Sequence, residues 1–432
     1  MEVQALPFAL NRLSQIKKLK DIKPLSSVTY PGTHCPLFGS AMTIRLIEDA
    51  LMLVIGTEEC TYYTKSTSLV YEEFGGINGR CVSFVMNHHD VTFGCRKKME
   101  QAVDVLVEEY HPQVIFMVTT CVPEMTGEDI DAIADVLSKK HGITMPVIHT
   151  DHFRCDGHML GVQNTMKACV SLMEAPSQNT QCINLLGKQA GNSELAQYLK
   201  EADIKINLAF PSHTSLEELK QAANAKMNIV CSRQALVLAQ EMEKKFGIPY
   251  VSFYDRCTPS DIEEGYQLLF KQLNKEIPNS IQEKRIALEQ YVQECSPILK
   301  NRTYIYGNSS VDTFVLNAFL VSLGMNPLMI QTKDFEDHDI IHVSKILQQC
   351  DPLITRSANL ASLRDVYGIL KPDLYLGPAE RDVLLSHGII GIGLPHGNDY
   401  IGFELSRHIL DIFSTGLKKK RQLSDLEKGA LS

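Results

Sequence analysis

From about residue 80 onward, this chain alternates short apolar runs with stretches of helical periodicity, and few architectures accept that order. A strand apolar at nearly every position is buried on both faces, and the helix between two such strands crosses back over the sheet. The pattern therefore predicts βαβ units and parallel sheets. Val114–Thr119 (VIFMVT) lies between helical stretches at Lys97–Tyr110 and Gly127–Lys139, and Pro146–His149 follows. A second block runs from Cys182–Leu186 through a helix near Ser193–Ala202 to strands at Ile204–Phe210, Asn228–Cys231 and Tyr250–Phe253. A third has strands at Thr303–Tyr306, Leu328–Gln331, Leu353–Thr355, Asp373–Leu376 and Ile389–Ile392, and ends in a helix over Phe403–Phe413. Lys275–Lys300, polar and helical in period, reads as a connector.

The expectation is an α/β protein of three Rossmann-like lobes with parallel sheets. Residues 1–178 form the first lobe, 179–275 the second, 276–300 the connector and 301–432 the third. In such lobes ligands bind beyond the carboxyl ends of the strands, where helix N-termini also point.

The 432 residues, 44% of them hydrophobic, suffice for several cores, and the net charge of −9 argues against a general nucleic-acid-binding role. The longest basic stretch, Lys418–Arg421, reads as a solvated helix end. Residues 1–30 lack the basic, apolar, small order of a secretory signal, and no apolar run reaches the roughly 18–20 residues a membrane helix needs. A cytoplasmic chain without a membrane segment is expected. In that reducing compartment its twelve cysteines are not disulfide partners, and without a CxxC pair they make neither a zinc ribbon nor a thioredoxin-like site. Functional thiols would have to converge from distant parts of the chain.

Four segments offer such thiols. Cys35 sits in Pro31-Gly-Thr-His-Cys-Pro-Leu-Phe-Gly-Ser40, a loop of turn formers before a helical stretch. Cys60 ends Gly56-Thr-Glu-Glu-Cys60, just after the apolar run Leu51–Ile55. Cys121 lies in Thr119-Thr-Cys-Val-Pro-Glu-Met-Thr-Gly127-Glu-Asp129, between the VIFMV run and a helix, and Cys231 ends Asn228-Ile-Val-Cys231. An iron–sulfur cluster needs thiolates and gains from backbone N–H groups near its sulfides, which loops with Gly and Pro can supply. From spacing alone, the ordinary buried cysteine is the better reading for any single one of them.

The order and context of the Cys35, Cys60 and Cys121 loops resemble the nitrogenase component 1 family, from Pro31 to the last helix. Thr119-Thr-Cys121 with its acidic continuation resembles the third ligand loop of the β-type subunit, and His149-Thr-Asp-His-Phe153 another loop of that subunit. Gly94-Cys-Arg-Lys-Lys98 resembles the family's Phe-Gly-Gly-then-basic turn, with Cys95 in place of a glycine. The resemblance implies that Cys35, Cys60 and Cys121 bind a cluster shared across a subunit interface, either 4Fe-4S or an 8Fe-7S P-cluster-like group. It implies electron delivery by a separate ATP-dependent Fe protein, and pairing with a homologous subunit or a second copy of the chain.

Cys231 resembles the α-subunit cysteine that anchors a second metallocluster, and His396, in Leu394-Pro-His-Gly-Asn-Asp-Tyr400-Ile-Gly-Phe403, resembles its histidine ligand, with a shorter gap to Gly402-Phe403 than in the family. The family's Leu-Gly-His-His stretch is Leu160-Gly-Val-Gln163 here, which points away from the usual dinitrogen chemistry. For Cys231 the readings are a different metallocluster, a docking point for a cluster under assembly, or a structural residue.

The run His149, His152, Cys155, His158 offers zinc ligands, or an extra cluster ligand in Cys155, although Asp156-Gly157 favours a plain loop. Gly187–Ser193 is faintly like a phosphate loop but lacks the GxxxxGK[ST] order, so no nucleotide site is expected. The functional expectation is a subunit of a two-component reductase acting on something other than dinitrogen. The alternatives are a scaffold for metallocluster assembly and a tetrapyrrole reductase subunit.

Overall fold

The computed structural model describes residues 10–26, 34–70, 78–151, 153, 157–177, 180–187, 193–307, 309, 311–357, 360–394 and 400–429. Along the chain the strands are β1 (Asn11–Arg12), β2 (Ala50–Gly56), β3 (Cys81–Val85), β4 (Val114–Thr119) and β5 (Val147–His149). Then come β6 (Ile183–Leu186), β7 (Ile206–Phe210), β8 (Met227–Val230) and β9 (Tyr250–Ser252). The last five are β10 (Thr303–Tyr306), β11 (Asn326–Thr332), β12 (Leu353–Arg356), β13 (Leu374–Leu376) and β14 (Ile390–Ile392). The chain divides into two compact units: Pro31–Gly191 with Asp203–Val251, and Met1–Tyr30 with Asn192–Ala202 and Ser252–Ser432.

The first unit holds two four-stranded sheets, in the orders β3-β2-β4-β5 and β7-β6-β8-β9. The pairs β2–β3, β2–β4, β4–β5, β6–β7 and β6–β8 are all parallel. β2 and β4 are buried at every residue, as central strands covered on both faces must be. The helix Arg96–Tyr110 presents Met99, Val103 and Leu106 to this sheet, and Ile130–His141 presents Ile130, Ile133, Ala134 and Leu137. Those three- and four-residue steps put one apolar stripe on each helix. Each fully buried Leu or Ile on the stripe contributes roughly 1.5–3 kcal/mol. Asp129 caps the second helix at its start by accepting from the Ala132 N–H, and Gly142 ends it at φ +66°, a left-handed turn that glycine adopts without strain.

Two helices of this unit meet backbone to backbone. In Pro36–Ile44 a Cβ on Gly39 would lie 2.0 Å from the His158 carbonyl oxygen, and in Met159–Cys169 one on Gly161 would lie 1.8 Å from that of Pro36. The Ser40 hydroxyl donates to the Gly161 carbonyl oxygen at 3.2 Å. Only glycine permits this crossing.

The other unit carries a six-stranded sheet in the order β1-β12-β11-β10-β13-β14, parallel except where β1 runs antiparallel to β12. Sequence patterning does not anticipate β1, which is two residues long, or β3, whose burial is mixed rather than continuous. Asn11–Arg12 thus belongs to the sheet formed mainly by residues beyond 300. The last helix, Gly402–Gly429, is longer than its apolar period suggested. No described helix is long and apolar enough to cross a membrane.

Candidate functional site

In the first sheet the chain leaves β2 for β3 on one side and later returns to place β4 on the other. Where strand order reverses, the carboxyl ends of the two central strands open a crevice, the usual ligand position in open α/β sheets. Cys60 lies in the first turn of the helix Glu58–Val70 after β2, and Cys121 opens the helix Cys121–Thr126 after β4. Cys35 is the residue before the helix Pro36–Ile44. Each of the three is half-buried at the start of a helix, where backbone N–H groups favour a thiolate.

The structure brings these thiols into one electrostatic neighbourhood. Burial is the main cause that pushes the Cys35 thiol above its usual range; the Phe38 and Leu37 N–H groups oppose it, and Cys60 and Cys121 push it further up. A polynuclear group takes its thiolates on separate irons, and three thiols from separate loops fit such a set.

The strand ends are locked together beneath the thiols. The Thr120 N–H donates to the Ile55 carbonyl at 3.0 Å, and the Met86 N–H to that of Gly56 at 2.8 Å. A Cβ on Gly56 would come within 2.0 Å of Thr120 Oγ1. That hydroxyl is buried and has no hydrogen-bond partner among the described residues. A buried hydroxyl of this kind next to Cys121 suits a bound group that accepts a hydrogen bond there. By chemistry and by this orphaned donor, the residues fit an iron–sulfur cluster.

A charged brace flanks Cys121. His149, ending β5, meets Glu124 through Nδ1 at 2.6 Å and Asp131 through Nε2 at 3.1 Å, while the Thr119 hydroxyl donates to Glu124. The hydrogen bond to Glu124 is the largest cause raising the His149 pKa, with burial opposing it. On the other flank His34 stacks on Phe38 at 4.1 Å and bonds the Tyr63 hydroxyl through Nδ1 at 2.5 Å.

The second sheet repeats the reversal between β6 and β8. Cys231 follows β8, is 8% exposed, donates its N–H to the Leu186 carbonyl at 2.7 Å and holds Sγ 4.0 Å from the Ile229 carbonyl. Gly187 follows β6 at φ +90°, and a Cβ there would lie 2.3 Å from Ser232 Oγ and 2.7 Å from the Ser232 nitrogen. The helix Met159–Cys169, which crosses the Cys35 helix, also packs against the Arg233–Ala235 turn after Cys231. It carries Gln163, half-buried, where the family resemblance leads one to look for imidazole.

Other sequence candidates fall elsewhere. His396, His152, Cys155 and Lys188–Asn192 lie outside the described residues. His149 is occupied by its two carboxylates. Cys95 is buried, with its thiol pushed up to about 12 chiefly by burial, and its N–H donates to Glu128 at 3.2 Å. Sequence reasoning missed the Gly56–Thr120 contact, the Gly39–Gly161 crossing and the Glu124–His149–Asp131 brace. Glycine directly after an apolar run signals the first; the other two join residues far apart in the chain and leave no local signature.

A family model described as nitrogenase component 1 type oxidoreductase matches residues 35–415. The nitrogenase iron-molybdenum cofactor biosynthesis protein NifE of Clostridium pasteurianum is 30% identical over 71% of this chain and 70% of its own length. NifE of Methanosarcina barkeri is 25% identical over 86% and 85%. The nitrogenase molybdenum-iron protein alpha chain of the same organism is 26% identical over 72% and 62%. Among solved structures, nitrogenase Cp1 at pH 6.5 superposes with a TM-score of 0.73 at 17% identity, over 92% of this chain and 96% of that one.

Proposed function

This chain belongs to the nitrogenase component 1 type oxidoreductases, and on that premise we propose that Cys35, Cys60 and Cys121 hold an iron–sulfur cluster in one subunit of a nitrogenase-like two-component system. The reading rests on one observation: Cys60 and Cys121, just beyond β2 and β4, both act electrostatically on Cys35 from a third loop. Such a cluster, when bound, exchanges single electrons at low potential. The chain's own residues set the terms. Helix-start N–H groups stabilise the sulfurs, Thr120 offers a hydroxyl, and the Gly56 and Gly161 contacts fix the loops.

Tyr62, Phe93 and Met125 are each more than 70% exposed, on the two helices bearing Cys60 and Cys121 and on His88–Phe93, which packs against the Cys121 helix. Large exposed apolar side chains around a ligand set mark a contact surface. They suit a paired homologous subunit or a second copy of this chain completing the cluster, with an ATP-dependent Fe-protein-type reductase as electron donor. Cys231 is proposed as the anchor of a second metallocluster; His396, the histidine ligand that the resemblance implies, lies outside the described residues. Gln163 in place of imidazole supports a substrate other than dinitrogen.

A second reading is favoured by the names of the NifE relatives: the chain is a scaffold on which a nitrogenase-type metallocluster is built and passed on. One experiment addresses both. The full chain is purified anaerobically with its partner subunit, and iron, acid-labile sulfide and electron paramagnetic resonance spectra are measured before and after adding Fe protein, ATP and reductant. Cluster signals that cycle while the iron content stays constant support the reductase. Iron that leaves for an acceptor protein supports the scaffold. A Cys35→Ala/Cys60→Ala/Cys121→Ala variant that keeps its iron and sulfide overturns the shared premise.

A further inference from the structure

The unit that carries the six-stranded sheet has a ligand-like group of its own, at the carboxyl ends of β10 and β11. Asp312 lies beyond β10 and caps the helix Thr313–Ser322, its Oδ1 accepting from the Phe314 and Val315 N–H groups. Beyond β11, the short turn Asp337–Asp339 leads into the helix Ile340–Leu347. One ligand atom from each of Asp312, His338 and Asp339 lies within 4.8 Å of the other two.

We propose that Asp312, His338 and Asp339 bind one first-row divalent cation, separate from any cluster on the cysteines. Two carboxylates and an imidazole form a donor set for Mn2+, Fe2+ or Zn2+ rather than for a thiophilic ion. Asp339 is fully buried, where electrostatic attraction to a cation is strongest. Asp339 accepts the Glu336 N–H through Oδ2, whereas its Oδ1 is the atom that faces His338 Nε2 at 3.8 Å.

His338 supplies an observation independent of the acidic residues. Its Nε2 is shielded from solvent and has no hydrogen-bond partner among the described residues, while its Nδ1 faces Glu336 Oε2 at 3.5 Å. A histidine turned by a carboxylate on one nitrogen, with the other aimed at oxygen ligands, is the usual arrangement around a bound metal. A further carboxylate oxygen, Asp255 Oδ1, is likewise buried without a hydrogen-bond partner among the described residues. Asp255, Asp312 and Asp339 all bear electrostatically on His342, which places Asp255 beside the group.

The test uses the full chain, stripped of metal by chelator under anaerobic conditions and titrated with Mn2+, which disfavours thiolates. Loss of the free aqua-ion resonance counts the bound ions. One ion per chain is expected, with paramagnetic broadening of the His338 and His342 ring signals. His338→Gln should weaken binding by roughly tenfold or more, while a Cys35→Ala/Cys60→Ala/Cys121→Ala chain should bind as the wild type does. No bound Mn2+ at one equivalent, broadening confined to other histidines, or undiminished binding in His338→Gln would each overturn the proposal. The broadening needs only the wild-type chain, so it decides the question even if the variant does not fold.

Discussion

The two sheets of the cysteine-bearing unit have the same strand order and the same reversal, yet they present their cysteines differently. In the first, the Thr120 N–H bonds the Ile55 carbonyl; in the second, the Cys231 N–H bonds the equivalent Leu186 carbonyl. By that register Cys231 stands where Thr120 stands, and Ser232 stands where Cys121 stands. Neighbouring residues at a strand end point to opposite sides, so this one-residue offset separates a half-buried thiol that opens a helix from a thiol tucked beside its strand. On the proposed reading, a shared frame therefore gives a site for several thiols in one place and a single anchor in the other.

The largest expected effect tests that division of labour. Changing Cys35, Cys60 and Cys121 to alanine together should remove nearly all iron and sulfide from the first crevice. Cys231→Ala should leave that cluster's spectrum intact and lower iron only by the share of the second site. Both variants should keep their secondary structure by circular dichroism, with Cys231→Ala costing about 1 kcal/mol of stability, typical of a single substitution. If Cys231→Ala instead abolishes the spectrum of the first cluster, the two sites are not the separate devices described here.

A smaller effect should come from the glycines that close each crevice. Gly187→Ala must hold a side chain at φ +90° and meet the Ser232 backbone nitrogen at 2.7 Å, so we expect a loss of about 2–4 kcal/mol in denaturant unfolding. Gly56→Ala meets only the Thr120 side chain, and a loss of about 1–3 kcal/mol is expected. Adding Thr120→Ala to Gly56→Ala should restore part of it, and a double-mutant cycle measures the coupling. Absence of coupling would show that the first crevice is not closed by this contact.

These two glycines also show what was legible in the sequence. Val114–Thr119 and Thr303–Tyr306 match the structure residue for residue, because a strand buried on both faces writes an unbroken apolar run. The three cysteine loops were visible for the same reason, since each borders a run or a helix start. The contacts between loops were not. Gly56 and Thr120 meet only because β2 and β4 pair in one register, with Ile55 opposite Thr119, and no local pattern encodes that pairing. β3 was missed because its residues alternate unevenly between buried and open positions. The acidic and histidine residues beyond β10 and β11 went unread because their individual caps look like ordinary helix chemistry.

The smallest effect concerns the brace beside Cys121. Hydrogen bonding to Glu124 holds the His149 pKa above its usual 6.5, with Asp131 adding to the pull. A histidine raised in the folded state contributes stability that is fully present below pH 6.5 and fades as pH rises through the elevated value. Because the side chain is 44% exposed, solvent screening limits the contribution to about 0.5 kcal/mol. Glu124→Gln should lower the His149 titration midpoint in a proton NMR titration and flatten the loss of stability above pH 6.5. It should leave the surroundings of Cys231 unchanged. A midpoint that stays put would mean that Asp131, or the strand end itself, holds the imidazole, and the first crevice would then lose the charged wall that sets it apart from the second.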